Sequence, residues 1–173
     1  MRTLSKIIIA CTALVCTLTS CKKSNVSPKL STESIVFTLN GTKHTLASNV
    51  IERKVMYSIG FYTTSVAASS SQNTEVMGFT VLYDRDSLKT GTYTVNNGTD
   101  LSRGNVTFTF VSDNGHTYIQ NYTNPNNTIT ITEIGADYIK GTLSAVLSDI
   151  TSAAGSPSLP DVTLTNGEFY AKA

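Results

Sequence analysis

Residues 105–111 alternate strictly, with Val106, Phe108 and Phe110 on one side of an extended chain and Thr107 and Thr109 on the other. Side chains of a strand point to opposite faces in turn, so such a segment buries its apolar side only by lying on a packed layer. The same pattern recurs between turn signals from residue 33 onward, and no stretch shows the 3.6-residue apolar repeat of a packed helix. The chain is therefore expected to be all-β, an antiparallel β-sandwich or barrel-like variant of about eight to ten strands. Its polar character supports this: only 14% of residues are charged, and Thr, Ser and Asn supply the rest, as suits strands with hydroxyl-bearing outer faces.

The turns divide the chain into hairpins. Ile35, Phe37 and Leu39 alternate with Val36 and Thr38, Asn40-Gly41 is a two-residue turn signal, and residues 43–46 return, which sets Phe37 opposite His44. His44 has the chemistry of a ligand or base, but a lone His beside Phe is read first as a packed, hydrogen-bonded structural residue. Residues 53–61 and 75–83 read as two longer strands separated by a low-complexity loop over residues 67–73. Asp84 and Asp86 resemble the opening of a calcium loop, yet the further carboxylates and the bidentate Glu such a loop needs are missing, so a polar turn is the better reading. Residues 91–95 form a short strand that ends at Asn97-Gly98.

After the turn at Asp113-Asn114-Gly115, residues 116–122 place His116, Tyr118, Gln120 and Tyr122 on one face. If exposed, His116, Tyr118 and Tyr122 form a candidate sugar-binding surface; if packed, they belong to the core or its rim. Trp, the usual stacking residue for sugars, is absent. Residues 128–134 and 137–147 form a second hairpin, with Ile129, Ile131, Ile139, Leu143, Ala145 and Leu147 inward. A long loop over residues 151–160 precedes the closing segment 162–170, where Val162 and Leu164 alternate but Phe169 falls out of phase across Asn166-Gly167. Either a bulge restores the face, or Asn166-Gly167 turns a terminal hairpin that sets Leu164 opposite Phe169.

The N-terminus carries an address. Arg2 and Lys6 precede an apolar run over residues 7–18, too short for the roughly 20 residues a spanning helix needs. Leu18-Thr19-Ser20-Cys21 resembles the bacterial lipobox, which implies cleavage after residue 20 and lipidation of Cys21. Residues 1–20 are thus expected to be a lipoprotein signal peptide, residues 21–32 a lipidated tether, and residues 33–173 one β-domain. Each buried CH₂ of an acyl chain contributes about 0.8 kcal/mol, and two or more chains hold a protein stably. The resemblance implies outer-membrane delivery, since Lys22 rather than Asp follows the Cys. The basic Lys22-Lys23-Ser24 favours a domain facing the periplasm, with surface exposure the alternative. Of the 3 Cys, Cys11 and Cys16 lie in the removed segment, which leaves no thiol to pair with Cys21. A mature chain of about 150 residues needs no such staple to bury a core.

The chain's net charge is +1, and removing Arg2 and Lys6 leaves acids and bases nearly balanced. No basic stripe tracks a phosphate backbone, so nucleic acid is an unsuitable partner. Phe37-Thr38-Leu39-Asn40-Gly41, Gly141-Thr142-Leu143-Ser144-Ala145 and Leu164-Thr165-Asn166-Gly167-Glu168-Phe169 resemble uncharacterised lipoproteins of the Bacteroidota with a small all-β domain. That resemblance implies localisation but brings no catalytic residue. Asp86-Ser87-Leu88 looks like the Asp-Ser/Thr-apolar acceptor for O-glycosylation of exported proteins in the same bacteria, against the alternative of an ordinary turn Ser at position 87. Phosphate loop, nucleophile elbow, zinc-protease and Cys-x-x-Cys motifs are all lacking. The expectation is a non-catalytic module without cofactor or metal that binds a glycan, a protein or another envelope partner. A purely structural envelope protein is the alternative, with a hydrolase built on the two His behind it.

Overall fold

The computed structural model describes residues 30–58, 60–84, 88–95, 105–151 and 159–172. Among them run β1 (Ser34–Leu39), β2 (Thr42–Leu46), β3 (Ser48–Ser58), β4 (Phe61–Ser69), β5 (Val76–Asp84) and β6 (Gly91–Thr94), then β7 (Asn105–Val111), β8 (Thr117–Gln120), β9 (Thr128–Ile134), β10 (Tyr138–Asp149) and β11 (Val162–Lys172). Every pairing is antiparallel. The fold is all-β and sandwich-like, as the alternation requires. These eleven strands exceed the expected eight to ten. One reason is that residues 53–61 are not a single strand: the chain reverses between Ser58 and Phe61, with Gly60 at φ +86°, so β3 and β4 form a hairpin. The low-complexity segment contributes as well. Ala67, Ala68 and Ser69 continue β4 instead of opening a loop, because Ala68 is buried against the core and small side chains suit that position.

The strands follow the order β2-β1-β11-β10-β8-β7-β5-β4-β3, while β9 pairs with β10 and β6. This one hydrogen-bonded sheet folds over its own core. Phe37 of β1 meets Phe110 of β7 edge-on at 5.6 Å between ring centroids, and Phe79 of β5 meets Phe169 of β11 at 4.7 Å. β1 and β11 therefore lie across the core from β5 and β7. Phe37, Phe108, Phe110 and Phe169 are fully buried, and each contributes about 1.5–3 kcal/mol relative to exposure.

β10 is where the sheet forks. Residues Ile139 to Ser144 pair with β9, whereas Leu147 to Asp149 pair with β8. Between these ladders Val146 would be left unpaired on that edge. Asn127, fully buried, fills the gap: its Oδ1 accepts the Val146 N–H at 2.6 Å, and its Nδ2 donates to the Asn121 carbonyl at 2.7 Å. The Asn121 N–H donates in turn to the Val146 carbonyl at 2.8 Å. Gln120 works similarly on the other side of β8, its Oε1 accepting the Phe108 N–H at 2.9 Å.

The alternatives at Asn166-Gly167 resolve in favour of the bulge. β11 runs unbroken through them, and three steps from Leu164 to Gly167 face two from Ala145 to Leu143 on β10. Asn166 takes φ +51°, the phase shifts by one residue, and both Leu164 and Phe169 point into the core. The first hairpin forms as read, with Phe37 opposite His44 and Asn40-Gly41 at φ +46° and +88°. Gly141 is required for a different reason: a Cβ there would sit 2.1 Å from the Thr130 carbonyl oxygen and 2.5 Å from the Phe169 ring.

Asn127→Leu should orphan the buried Val146 N–H and the Asn121 carbonyl, lowering stability in urea unfolding by about 2–4 kcal/mol. A loss under half a kcal/mol would show that the fork does not depend on this amide.

Candidate functional site

The face expected to carry His116, Tyr118 and Tyr122 does not form one surface. β8 ends at Gln120, so Tyr122 falls in the following turn, 53% exposed, while Tyr118 is 8% exposed and stacks on Phe110 at 6.1 Å. Burial, and then the negative charge of Asp149, raise the Tyr118 phenol above its ordinary pKa. Tyr118 is thus a core residue, and Tyr122 stands alone as the exposed aromatic of the group.

Both His are tied to carboxylates. His116 Nδ1 lies 3.1 Å from Asp149 Oδ2, and Asp149 Oδ1 accepts the Thr151 N–H at 2.8 Å. The Thr151 hydroxyl accepts the Thr117 N–H at 2.6 Å, which joins the end of β10 to the start of β8. The Asp149 carboxyl is held below the usual range, chiefly by the Thr151 backbone N–H, with the Thr151 hydroxyl and His116 adding to it and burial opposing. His44 stacks on Phe37 at 5.0 Å and meets Phe110 edge-on at 5.8 Å, and its Nδ1 lies 2.9 Å from Glu75 Oε1. The structural reading of His44 holds: its ring is part of the aromatic core and its polar edge binds β2 to the start of β5.

The described concavity lies elsewhere, on the solvent side of the β4-β5-β7 layer. Thr63, Thr80, Leu82, Asn105 and Thr107 line a shallow depression of about 200 Å³. Register explains the grouping. Thr63 pairs with Leu82, Leu82 with Asn105, and Thr80 with Thr107, so strand alternation turns all five away from the buried Val81 and Val106. The Asn105 Oδ1 is sequestered from water and accepts no hydrogen bond. On β4, β5 and β7 a single ionisable residue registers to this side, Asp84 at the strand end, and Arg53 on the edge strand β3 lies opposite Ser65.

The other outer face differs in kind. Lys140 lies 5.0 Å from the Tyr138 ring and 4.8 Å from that of Tyr170, and 3.6 Å from Glu133, while Lys172 pairs with Glu33 at 3.6 Å. Its charges neutralise one another, and its aromatic faces are already covered by ammonium groups.

Among the described residues no group of three or more His, Cys, Asp and Glu is placed to hold a metal. Cys21, Ser87, Asp86, Asn97-Gly98 and the signal peptide of residues 1–20 lie outside the described residues. Comparison with protein-family models, curated proteins and solved structures finds no match. Sequence reading did not single out the five residues of the depression, since they come from three strands and share only an outward phase.

The Asp149 shift gives a pH signature. With its pKa lowered in the folded state, the stabilisation is complete above the unfolded value of about 3.9 and is lost as pH falls through the folded one. Asp149→Asn should therefore be less stable than wild type at neutral pH, with urea midpoints converging below about pH 4. A gap that does not change with pH would assign the effect to packing rather than charge.

Proposed function

We propose that this protein is a non-catalytic binding module of the cell envelope, lipidated at Cys21, carried on the outer membrane and facing the periplasm. The observation that carries the binding part is the solvent face of the β4-β5-β7 layer, which combines a depression, an unpaired buried acceptor and almost no ionisable groups. A purely structural strand face would ordinarily be solvated by mixed charges, as the opposite face of this domain is. Support for a non-catalytic role comes from the two His. Each spends Nδ1 on a carboxylate, and His44 also spends its ring on the core. The anchor part rests on Leu18-Thr19-Ser20-Cys21, and kinship with Bacteroidota lipoproteins on the strand and turn segments that resemble theirs.

Two measurements check this reading. Cys21→Ser should move the protein from the membrane to the soluble fraction and abolish labelled palmitate incorporation; a variant that stays membrane-bound and processed as before removes the anchor. Thr107→Arg places a charge on an exposed position of the face and should change stability by no more than about 0.5 kcal/mol. It should sharply reduce retention of envelope components on immobilised protein, and undiminished retention would leave the structural alternative in possession. Ser87 adds a separate modification to test: intact mass from a native-like host should show hexose or deoxyhexose that disappears in Ser87→Ala.

A further inference from the structure

We infer that the depression on the β4-β5-β7 layer takes a neutral glycan, with a ligand hydroxyl donating to Asn105 Oδ1. The inference deepens the binding reading above and rests on it. The argument begins with the orphaned acceptor. A buried carbonyl-type oxygen without a partner costs about 1–3 kcal/mol, and Asn105 Oδ1 has none, although Thr107 lies two residues along the same face. Its need is for a donor, which a sugar hydroxyl supplies and a carboxylate or phosphate oxygen does not.

The surroundings narrow the class further. Thr63, Thr80 and Thr107 offer hydroxyls that both donate and accept, matching a ligand whose own polar groups are hydroxyls. Thr63 already donates to the Val55 carbonyl at 3.3 Å and Thr80 shares a 2.8 Å bond with Ser65, so both are held in place with accepting capacity left. Leu82 gives the depression an apolar patch against which the C–H face of a sugar ring can lie. Charge settles the remaining choice. An anionic glycan would lose hydration here with only Arg53 at the margin to answer it, opposed by Asp84 at the strand end. The depression is open and about 200 Å³, suited to one ring of a chain that continues over the sheet. With no aromatic platform among its lining residues, binding rests on hydrogen bonds, and affinity is expected in the micromolar to millimolar range.

The test uses purified full-length protein and a panel of neutral hexasaccharides (cellohexaose, laminarihexaose, maltohexaose and mannohexaose), with oligogalacturonate as the anionic comparison. At least one neutral hexasaccharide should bind by isothermal titration or NMR shift mapping, and oligogalacturonate should not. Asn105→Ala should weaken that binding about tenfold or more while leaving Tm unchanged or higher, because it deletes an unpaired buried oxygen rather than a bond. Lys140→Ala, on the opposite face, should bind as wild type does. Equal affinity in Asn105→Ala, preference for oligogalacturonate, or loss of binding accompanied by a fallen Tm would overturn the inference. Failure of every hexasaccharide overturns it too. The wider binding reading then stands if Thr107→Arg still abolishes retention of envelope components, and falls with it if that variant changes nothing.

Discussion

A sheet that forks must leave backbone groups without a ladder partner, and in this protein two buried side-chain amides take their place. Asn127 occupies the gap on β10 between the β9 and β8 ladders, and Gln120 accepts the N–H that β7 can no longer give to a strand. A water-excluded amide left unpaired would cost as much as several surface contacts supply together. The fork lets one strand, β10, belong to both layers. Every contact across the core depends on that bend, including the meeting of Phe79 with Phe169 and of Phe37 with Phe110. Gln120 pays for its position: its Nε2 finds no partner.

Around this frame the two His act as bolts. His44 and His116 flank the Phe110–Tyr118 pair, one stacked into the core and the other at its rim, each reaching a carboxylate on a different strand segment. Their polar edges tie loop ends to the sandwich while their rings extend the aromatic core, so one side chain serves packing and hydrogen bonding together. This arrangement uses titratable groups for architecture and leaves the open β4-β5-β7 face nearly free of charge. The two outer faces thus divide the work: Lys, Glu and Tyr neutralise one another on the β9-β10-β11 side, and hydroxyls with one apolar residue line the depression on the other.

Much of the fold was legible in the residues themselves. Alternation placed Val106, Phe108, Phe110, Ile129, Ile131 and Leu143 inward, and all are buried. Asn40-Gly41 set the register that puts Phe37 opposite His44. The misreadings share one cause. Ala67 to Ser69 looked like loop because small polar and apolar residues are common there, yet a packed layer makes them strand; Gly60 was read through because the turn it makes carries a weak signal. The candidate site was largely illegible, since its five residues are gathered by pairing among β4, β5 and β7 and have no spacing in common.

By itself, then, the sequence determined which side of each strand is apolar, where the tight turns fall and that no helix packs in the domain, because side-chain phase and turn chemistry are local properties. The tertiary structure alone decided the fork at β10, the bulge at Asn166 rather than a hairpin, the burial of Tyr118 apart from Tyr122, and the orphaned oxygen of Asn105. Those outcomes depend on which distant strand supplies the next hydrogen bond and on which polar atom is left without one, and neither is encoded in a residue's immediate neighbours.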